Sequence, residues 1–245
     1  MIISEGESLM IADKDNYLKE FSFLNGKLQM KDKERFYNNG DPLNGITKIG
    51  DSFLNVNYSE REQHSFEFVI INADGTRKYI GQIPDWDKST SASDLTNMFV
   101  YQSTHIARPG HKEFAEFYNR FRKIRFLDTK GNILYESEMN YPTKADKVPD
   151  SEGIFYMYGE ACASSEMIVV KAINSYLGED HSKNALEECS EFQIWDWEGR
   201  IIKRIITRCR LSHFTVDFKT GLMYGVNRDK DNKIYIVDLS QYLWP

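Results

Sequence analysis

Four times along this sequence an apolar, β-rich run breaks at a polar turn that ends in glycine. The segments are Phe21-Ser22-Phe23-Leu24-Asn25-Gly26-Lys27-Leu28, Val69-Ile70-Ile71-Asn72-Ala73-Asp74-Gly75, Ile124-Arg125-Phe126-Leu127-Asp128-Thr129-Lys130-Gly131 and Ile194-Trp195-Asp196-Trp197-Glu198-Gly199. A fifth, Ile234-Tyr235-Ile236-Val237-Asp238, has the run and the Asp. Asn and Asp side chains bind nearby backbone N–H groups, and Gly accepts the positive φ of a tight hairpin. One such hairpin constrains little. Four or five, spaced by roughly 40–70 residues, are a period.

A second mark keeps step with the first. Four of these segments follow an apolar run ending in Asn: Asn57 after Leu54-Asn55-Val56, Asn119 after Phe117-Tyr118, Asn174 after Lys171-Ala172-Ile173, and Asn227 after Gly225-Val226. Ahead of these lies one more run each, at 46–49, 101–106, 153–158 and 213–218. The unit is therefore four antiparallel strands. Such a sheet cannot bury both faces alone, so units must stack, and radial stacking of four-stranded sheets is the β-propeller. The reading is all-β: a single β-propeller domain over 1–245, with about five blades near 1–35, 45–84, 96–139, 153–206 and 210–242. The first unit is expected to be short at its N-terminus. The last lacks a fourth strand, which Met1-Ile2-Ile3-Ser4 is available to supply.

With 31 basic and 37 acidic side chains, the formal charge is −6. That balance lacks the broad positive field that supplies nucleic-acid affinity, so no nucleic-acid partner is expected. The densest basic cluster, Arg120-Phe121-Arg122-Lys123-Ile124-Arg125, alternates with apolar residues and reads as the solvent side of a strand. Apolar runs such as Phe68-Val69-Ile70-Ile71 are far too short to span a bilayer. Cys162, Cys189 and Cys209 form no CxxC pair; Cys162 with Cys189 is the pairing to test, and buried free thiols are the simpler reading. The opening Met1-Ile2-Ile3-Ser4-Glu5-Gly6-Glu7 has no basic start or long apolar stretch and does not read as a secretory signal, which leaves a cytoplasmic protein or a leader lost upstream as the alternatives.

The segments Phe192-Gln193-Ile194-Trp195-Asp196-Trp197-Glu198-Gly199-Arg200-Ile201-Ile202, Phe214-Thr215-Val216-Asp217 and Leu222-Met223-Tyr224-Gly225-Val226-Asn227 resemble the TolB-like, six-bladed β-propeller family of Bacteroidetes. Ala107-Arg108-Pro109-Gly110-His111-Lys112-Glu113-Phe114-Ala115 is similar too, with Gly110-His111 where relatives often carry Asp-Gly. The resemblance implies a six-bladed type and, for many members, an envelope lipoprotein. Six blades would need roughly 300 residues. The chain is shorter and shows no lipid-attachment Cys near its start, which leaves an absent N-terminal blade or a five-bladed ring as the alternatives.

Signatures of catalysis are missing: there is no GxSxG, HExxH or GxGxxG. His105 and His111 straddle an expected turn and read as solvated. His213 opens an innermost strand, where blades converge on the channel mouth. Trp86, in a connector between units, and Tyr176, in the long excursion 174–191, are candidate aromatic contacts. With Asn97 they make the set of ligand-binding candidates Trp86, Asn97, Tyr176 and His213. Some six-bladed relatives by architecture are metal-dependent lactonases, and Asn97, Asp150 and Glu152 have the oxygen chemistry that suits Ca2+. The primary reading is a noncatalytic binding or scaffolding propeller of the cell envelope, with no cofactor and a protein, small-molecule or carbohydrate ligand. The alternative is a lactonase-like hydrolase with Ca2+ or another divalent cation at the channel mouth.

Overall fold

The computed structural model describes residues 2–5, 8–12, 17–24, 27–35, 46–57, 66–86, 101–119, 121–139, 155–176, 189–227 and 233–243. Among them, strands form five antiparallel sheets in which each strand pairs with the next in sequence. The first holds β1 (Ile2–Glu5), β2 (Ser8–Ala12), β3 (Tyr17–Leu24) and β4 (Lys27–Arg35); the second holds β5 (Thr47–Ile49), β6 (Ser52–Val56), β7 (Phe66–Ile71) and β8 (Arg77–Gln82). The third holds β9 (Ser103–Ala107), β10 (Glu113–Tyr118), β11 (Lys123–Asp128) and β12 (Ile133–Glu138). The fourth holds β13 (Phe155–Ala163), β14 (Met167–Tyr176), β15 (Ser190–Asp196) and β16 (Ile201–Thr207). The fifth has three strands, β17 (His213–Asp217), β18 (Leu222–Val226) and β19 (Ile234–Asp238), followed by the single turn of helix α1 (Ser240–Leu243). The leading strands β5, β9, β13 and β17 adjoin in that order. The fold is a β-propeller of about five blades.

The turn chemistry joins one blade to the next as well as strand to strand. Asp128 Oδ1 accepts the N–H groups of Lys130 and Asn132 at 2.8 and 2.9 Å, and Asp196 Oδ1 repeats this with Glu198 and Arg200 at 3.1 and 2.8 Å. Gly131 and Gly199 close these turns at φ 86 and 78. Each also lies against the preceding blade. A Cβ on Gly131 would sit 2.3 Å from the Gly81 nitrogen, and one on Gly199 would sit 2.5 Å from Ser137 Oγ. Glycine is thus required twice over, for its backbone angle and for the close approach.

The third sheet shows how the core is divided. Phe114 and Leu127 pack with Leu54, Phe68, Ile70 and Ile80 of the second sheet. Ala115, Phe117, Ile124 and Phe126 point the other way, toward Tyr158, Ile168, Val170, Trp195 and Trp197 of the fourth. Alternation of period two therefore buries both faces, as stacked blades require. Asn119 staples the same junction: its carbonyl accepts the Met157 N–H at 3.0 Å and its Oδ1 accepts that of Tyr158 at 3.2 Å. The strand-end Asn read from sequence as a turn mark is here a blade-to-blade bridge.

Three sequence expectations are corrected. The first unit is not short: β1 pairs with β2 from Ile2–Ile11 to Glu5–Ser8, so Ile2-Ile3-Ser4 are not free to complete the last sheet. A hairpin to the adjacent run closes a far smaller loop than one to the far end of the chain. Arg125 is not on a solvent face, because its side of β11 meets the second sheet and is buried there. His105 is not a turn residue: β9 runs past it to Ala107, and its buried ring stands edge-on to Phe68 at 5.8 Å. His111 does lie exposed in the turn that follows.

Candidate functional site

Two blades bring a carboxylate and an imidazole together at their innermost strands. In the β13–β14 ladder Tyr158 faces Ala172 and Ala161 faces Val170, leaving Gly159 and Glu160 opposite the single residue Lys171. Such a bulge bends its strand and re-aims a side chain. Glu160 crosses to the next blade, where Oε1 meets His213 Nδ1 and Oε2 accepts the Phe214 N–H at 3.3 Å. Both side chains stay about half exposed, 45% for Glu160 and 50% for His213. Lys171 ties the approach to β17 by donating from Nζ to the carbonyls of Leu211 at 2.5 Å and Ser212 at 3.4 Å. Burial holds its ammonium below the ordinary lysine range; Glu160 opposes that shift and Arg210 adds to it.

This pair is suited to hydrogen-bonding a polar ligand that reaches the inner end of the blades. The thiol beside it is not activated. Cys162, on the same strand as Glu160, has Sγ 3.9 Å from the Phe214 carbonyl, and burial pushes its pKa up to about 11. At neutral pH it is a thiol, not a nucleophilic thiolate.

A second polar cluster lies between the second and third blades, with Glu67, Glu116 and Tyr118 buried at its centre. Across the third sheet His105, Glu116, Arg125 and Glu136 are successive cross-strand partners. Glu67 of β7 faces them from the second sheet, and the Tyr118 hydroxyl lies between Glu67 and Glu116. Over this cluster sits Trp86. Its ring is edge-on to Tyr118 at 4.7 Å and to Phe121 at 5.1 Å, with the Arg125 guanidinium 4.4 Å and the Lys123 ammonium 4.8 Å from its centroid.

Of the four candidate ligand residues, His213 and Trp86 are the two whose side chains are described, and they stand at different places. His213 stands in the inner-strand pair, and Trp86 packs over the junction of the second and third blades. Tyr176 ends β14, where its backbone pairs with Phe155. Asn97, Asp150 and Glu152 lie outside the described residues, as do His64 and His181. Among the described residues no three His, Cys, Asp or Glu side chains come together as a metal-binding group. All three cysteines are free thiols, so the Cys162–Cys189 pairing is not formed. No described helix is long and apolar enough to cross a membrane.

Sequence reasoning missed Glu160, Lys171 and the Glu67–Tyr118–Glu116 group. For Glu160 a signal was present: Gly159 interrupts an otherwise apolar strand, which is how a bulge announces itself. The buried acids leave no such trace, because a Glu within a strand reads as a solvent-facing residue.

No family model matches the sequence, and no curated protein matches it. Solved structures do. A member of the DUF4221 family from Bacteroides vulgatus superposes with a TM-score of 0.55 at 10% identity, covering 96% of this chain and 76% of that one. A suspected exported protein of Bacteroides fragilis gives a TM-score of 0.50 at 8% identity, covering 92% of this chain and 65% of that one. The WD40 domain of Neurospora crassa Pan2 gives 0.45 at 13% identity, covering 98% and 75%. At such identities the likeness is one of fold.

Proposed function

We propose that this protein is a noncatalytic binding or scaffolding β-propeller, and that it holds its ligand or partner where Glu160 and His213 meet at the inner ends of the fourth and fifth blades. The observation that carries the reading is that bulge. A strand irregularity aims a carboxylate across a blade boundary onto an exposed imidazole, while the surrounding backbone is fixed by Lys171. Rigid strands holding polar side chains at a convergence point make a binding platform. The neighbouring thiol, held protonated, offers no nucleophile for covalent catalysis.

The six-bladed TolB-like type and a place in the bacterial envelope extend this reading. They are supported by the sequence likeness at 192–202, 214–217 and 222–227, and by the suspected export of the Bacteroides fragilis neighbour. The ligand class in view is a protein segment, a carbohydrate or another polar small molecule, and the reading needs no cofactor.

The test is a calorimetric panel of oligosaccharides and extended peptides against wild type, Glu160→Gln and His213→Ala. A ligand bound by wild type and weakened at least about tenfold in both variants, a loss of roughly 1.4 kcal/mol, supports the reading. Hydrolysis of a lactone by wild type with added Ca2+, abolished by chelation, would replace it with the enzymatic alternative.

A further inference from the structure

Tyr118 places one hydroxyl between two buried carboxyl groups that belong to different blades. Its Oη lies 2.5 Å from Glu116 Oε2, and 2.9 and 3.0 Å from Oε1 and Oε2 of Glu67. Glu116 and Tyr118 are wholly buried and Glu67 is 6% exposed. A phenol has one proton to donate. If it goes to Glu116, the contact with Glu67 is a hydrogen bond only when Glu67 carries a proton of its own, and the converse holds. The two acids and the phenol are thus fully bonded with two protons, one phenolic and one shared between the carboxyl groups.

The cations of β11 do not replace that second proton. Ser103 on β9 donates to Glu116 Oε1 at 2.7 Å, and His105 on the same strand is the cross-strand neighbour of Glu116. Arg125 on β11 is engaged by Glu136 of β12 at 2.9 Å and reaches Glu67 only at 4.0 Å. Lys123, also on β11, pairs with Glu136 and Glu138 at 3.2 and 3.7 Å. Full ionisation would place two carboxylates against a phenol able to serve one of them, in a site without water-like dielectric.

We infer that the junction of the second and third blades is a proton-held latch: one proton shared by Glu67 and Glu116 through Tyr118 keeps the sheets joined, and its loss loosens that junction together with residues 83–86, which carry Trp86. Residues 83–86 are included because Trp86 rests on Tyr118 and on Arg125, the two groups that must move when the acids separate. The direction agrees with the electrostatics. Burial lifts Glu116 to about 7 against its hydrogen bonds with Tyr118, Ser103 and Glu67 and the charge of Arg125, while burial, the charge of Glu116 and the hydrogen bond with it lift Glu67 well above its ordinary value. Burial and both acids also raise Tyr118 well above its ordinary value, so it remains a donor. An acid whose folded-state value lies above its unfolded 4.5 binds more protons when folded. Its contribution is complete below 4.5 and is lost as pH rises through about 7.

The experiment is hydrogen exchange on the full chain at pH 6.0 and 8.5, corrected for intrinsic rates, reading segments 66–71, 83–86 and 113–118. Wild type should lose about tenfold in protection at these segments on going to pH 8.5, with segment 190–196 unchanged as internal reference. Either Glu116→Gln or Glu67→Gln alone should abolish the loss, because either amide removes the shared proton. Should one variant fail to fold, the other reads the same result. The latch is overturned if wild-type protection is the same at both pH values, if the loss extends equally to 190–196, or if each variant removes only half of the effect, as two independent acids would.

Discussion

The Ser137 hydroxyl donates to the Gly199 carbonyl at 2.6 Å, tying the last strand of the third blade to the turn of the fourth. The same turn glycine has φ 78 and no room for a side chain. Three turn glycines separate these two demands. Gly75 has φ 80 but open space around its missing Cβ, Gly199 would strike a movable hydroxyl, and Gly131 would strike the Gly81 backbone.

The expected order of damage is therefore Gly75→Ala, then Gly199→Ala, then Gly131→Ala. The first costs only the left-handed strain of about 1–2 kcal/mol. Gly199→Ala adds a disturbed hydrogen bond worth roughly 1 kcal/mol. Gly131→Ala must separate two blades. At about 2–4 °C per kcal/mol for a chain of this size, thermal melting resolves the series. Equal shifts at all three positions would show that turn conformation alone matters and that blade contact does not.

These glycines also show how far the sequence reached. The period of Asp or Asn followed by Gly was legible because hairpin chemistry is local and leaves a residue-type signature. The second role of Gly131 and Gly199 was not, since it depends on which atom of another blade lies opposite. His213 was legible as an inner-strand residue, yet its partner Glu160 comes from fifty-three positions earlier through a bulge. Arg125 was misread for a related reason: alternation identifies two faces of a strand but cannot say that both are covered. In a stacked array both are, so buried charged residues such as Glu116 and Arg125 hide in a pattern that elsewhere means solvent.

Lys171→Met tests whether the approach to β17 is held by its ammonium. The substitution keeps the apolar stem and removes the donor to Leu211 and Ser212, leaving the buried Leu211 carbonyl with only the long Ser190 Oγ contact at 3.5 Å, at a cost of about 1–3 kcal/mol. Exchange protection at 211–214 should fall more than protection at 222–226. A uniform loss across the fifth sheet would point to general destabilisation instead.

Thiol reactivity gives an independent check on the inner-strand site. With its pKa near 11, Cys162 carries on the order of one thiolate in a thousand at pH 8. Iodoacetamide at pH 8, read by peptide mass mapping, should leave Cys162 largely unmodified under conditions that alkylate a small-molecule thiol fully. Unfolding the chain should bring it to the rate of an ordinary cysteine. Rapid alkylation in the folded protein would contradict the burial of this thiol.

Trp86 separates a packing role from a binding role. Its ring stands over Tyr118, Phe121 and the Arg125 guanidinium, so it covers the buried acid cluster from the connector side. Removing a half-buried indole from such a place costs about 2–4 kcal/mol, toward the lower part of the range for large aromatic truncations. Trp86→Ala should therefore lower the melting temperature by roughly 5–15 °C in the absence of any ligand. Trp86→Phe should recover much of that loss, because a smaller ring still presents a face to the guanidinium. A residue kept only to touch ligand would behave differently: Trp86→Ala would melt within a degree or two of wild type and lose affinity alone. Melting curves of the two variants at pH 6, where the acid pair retains its proton, distinguish the cases without knowledge of the ligand.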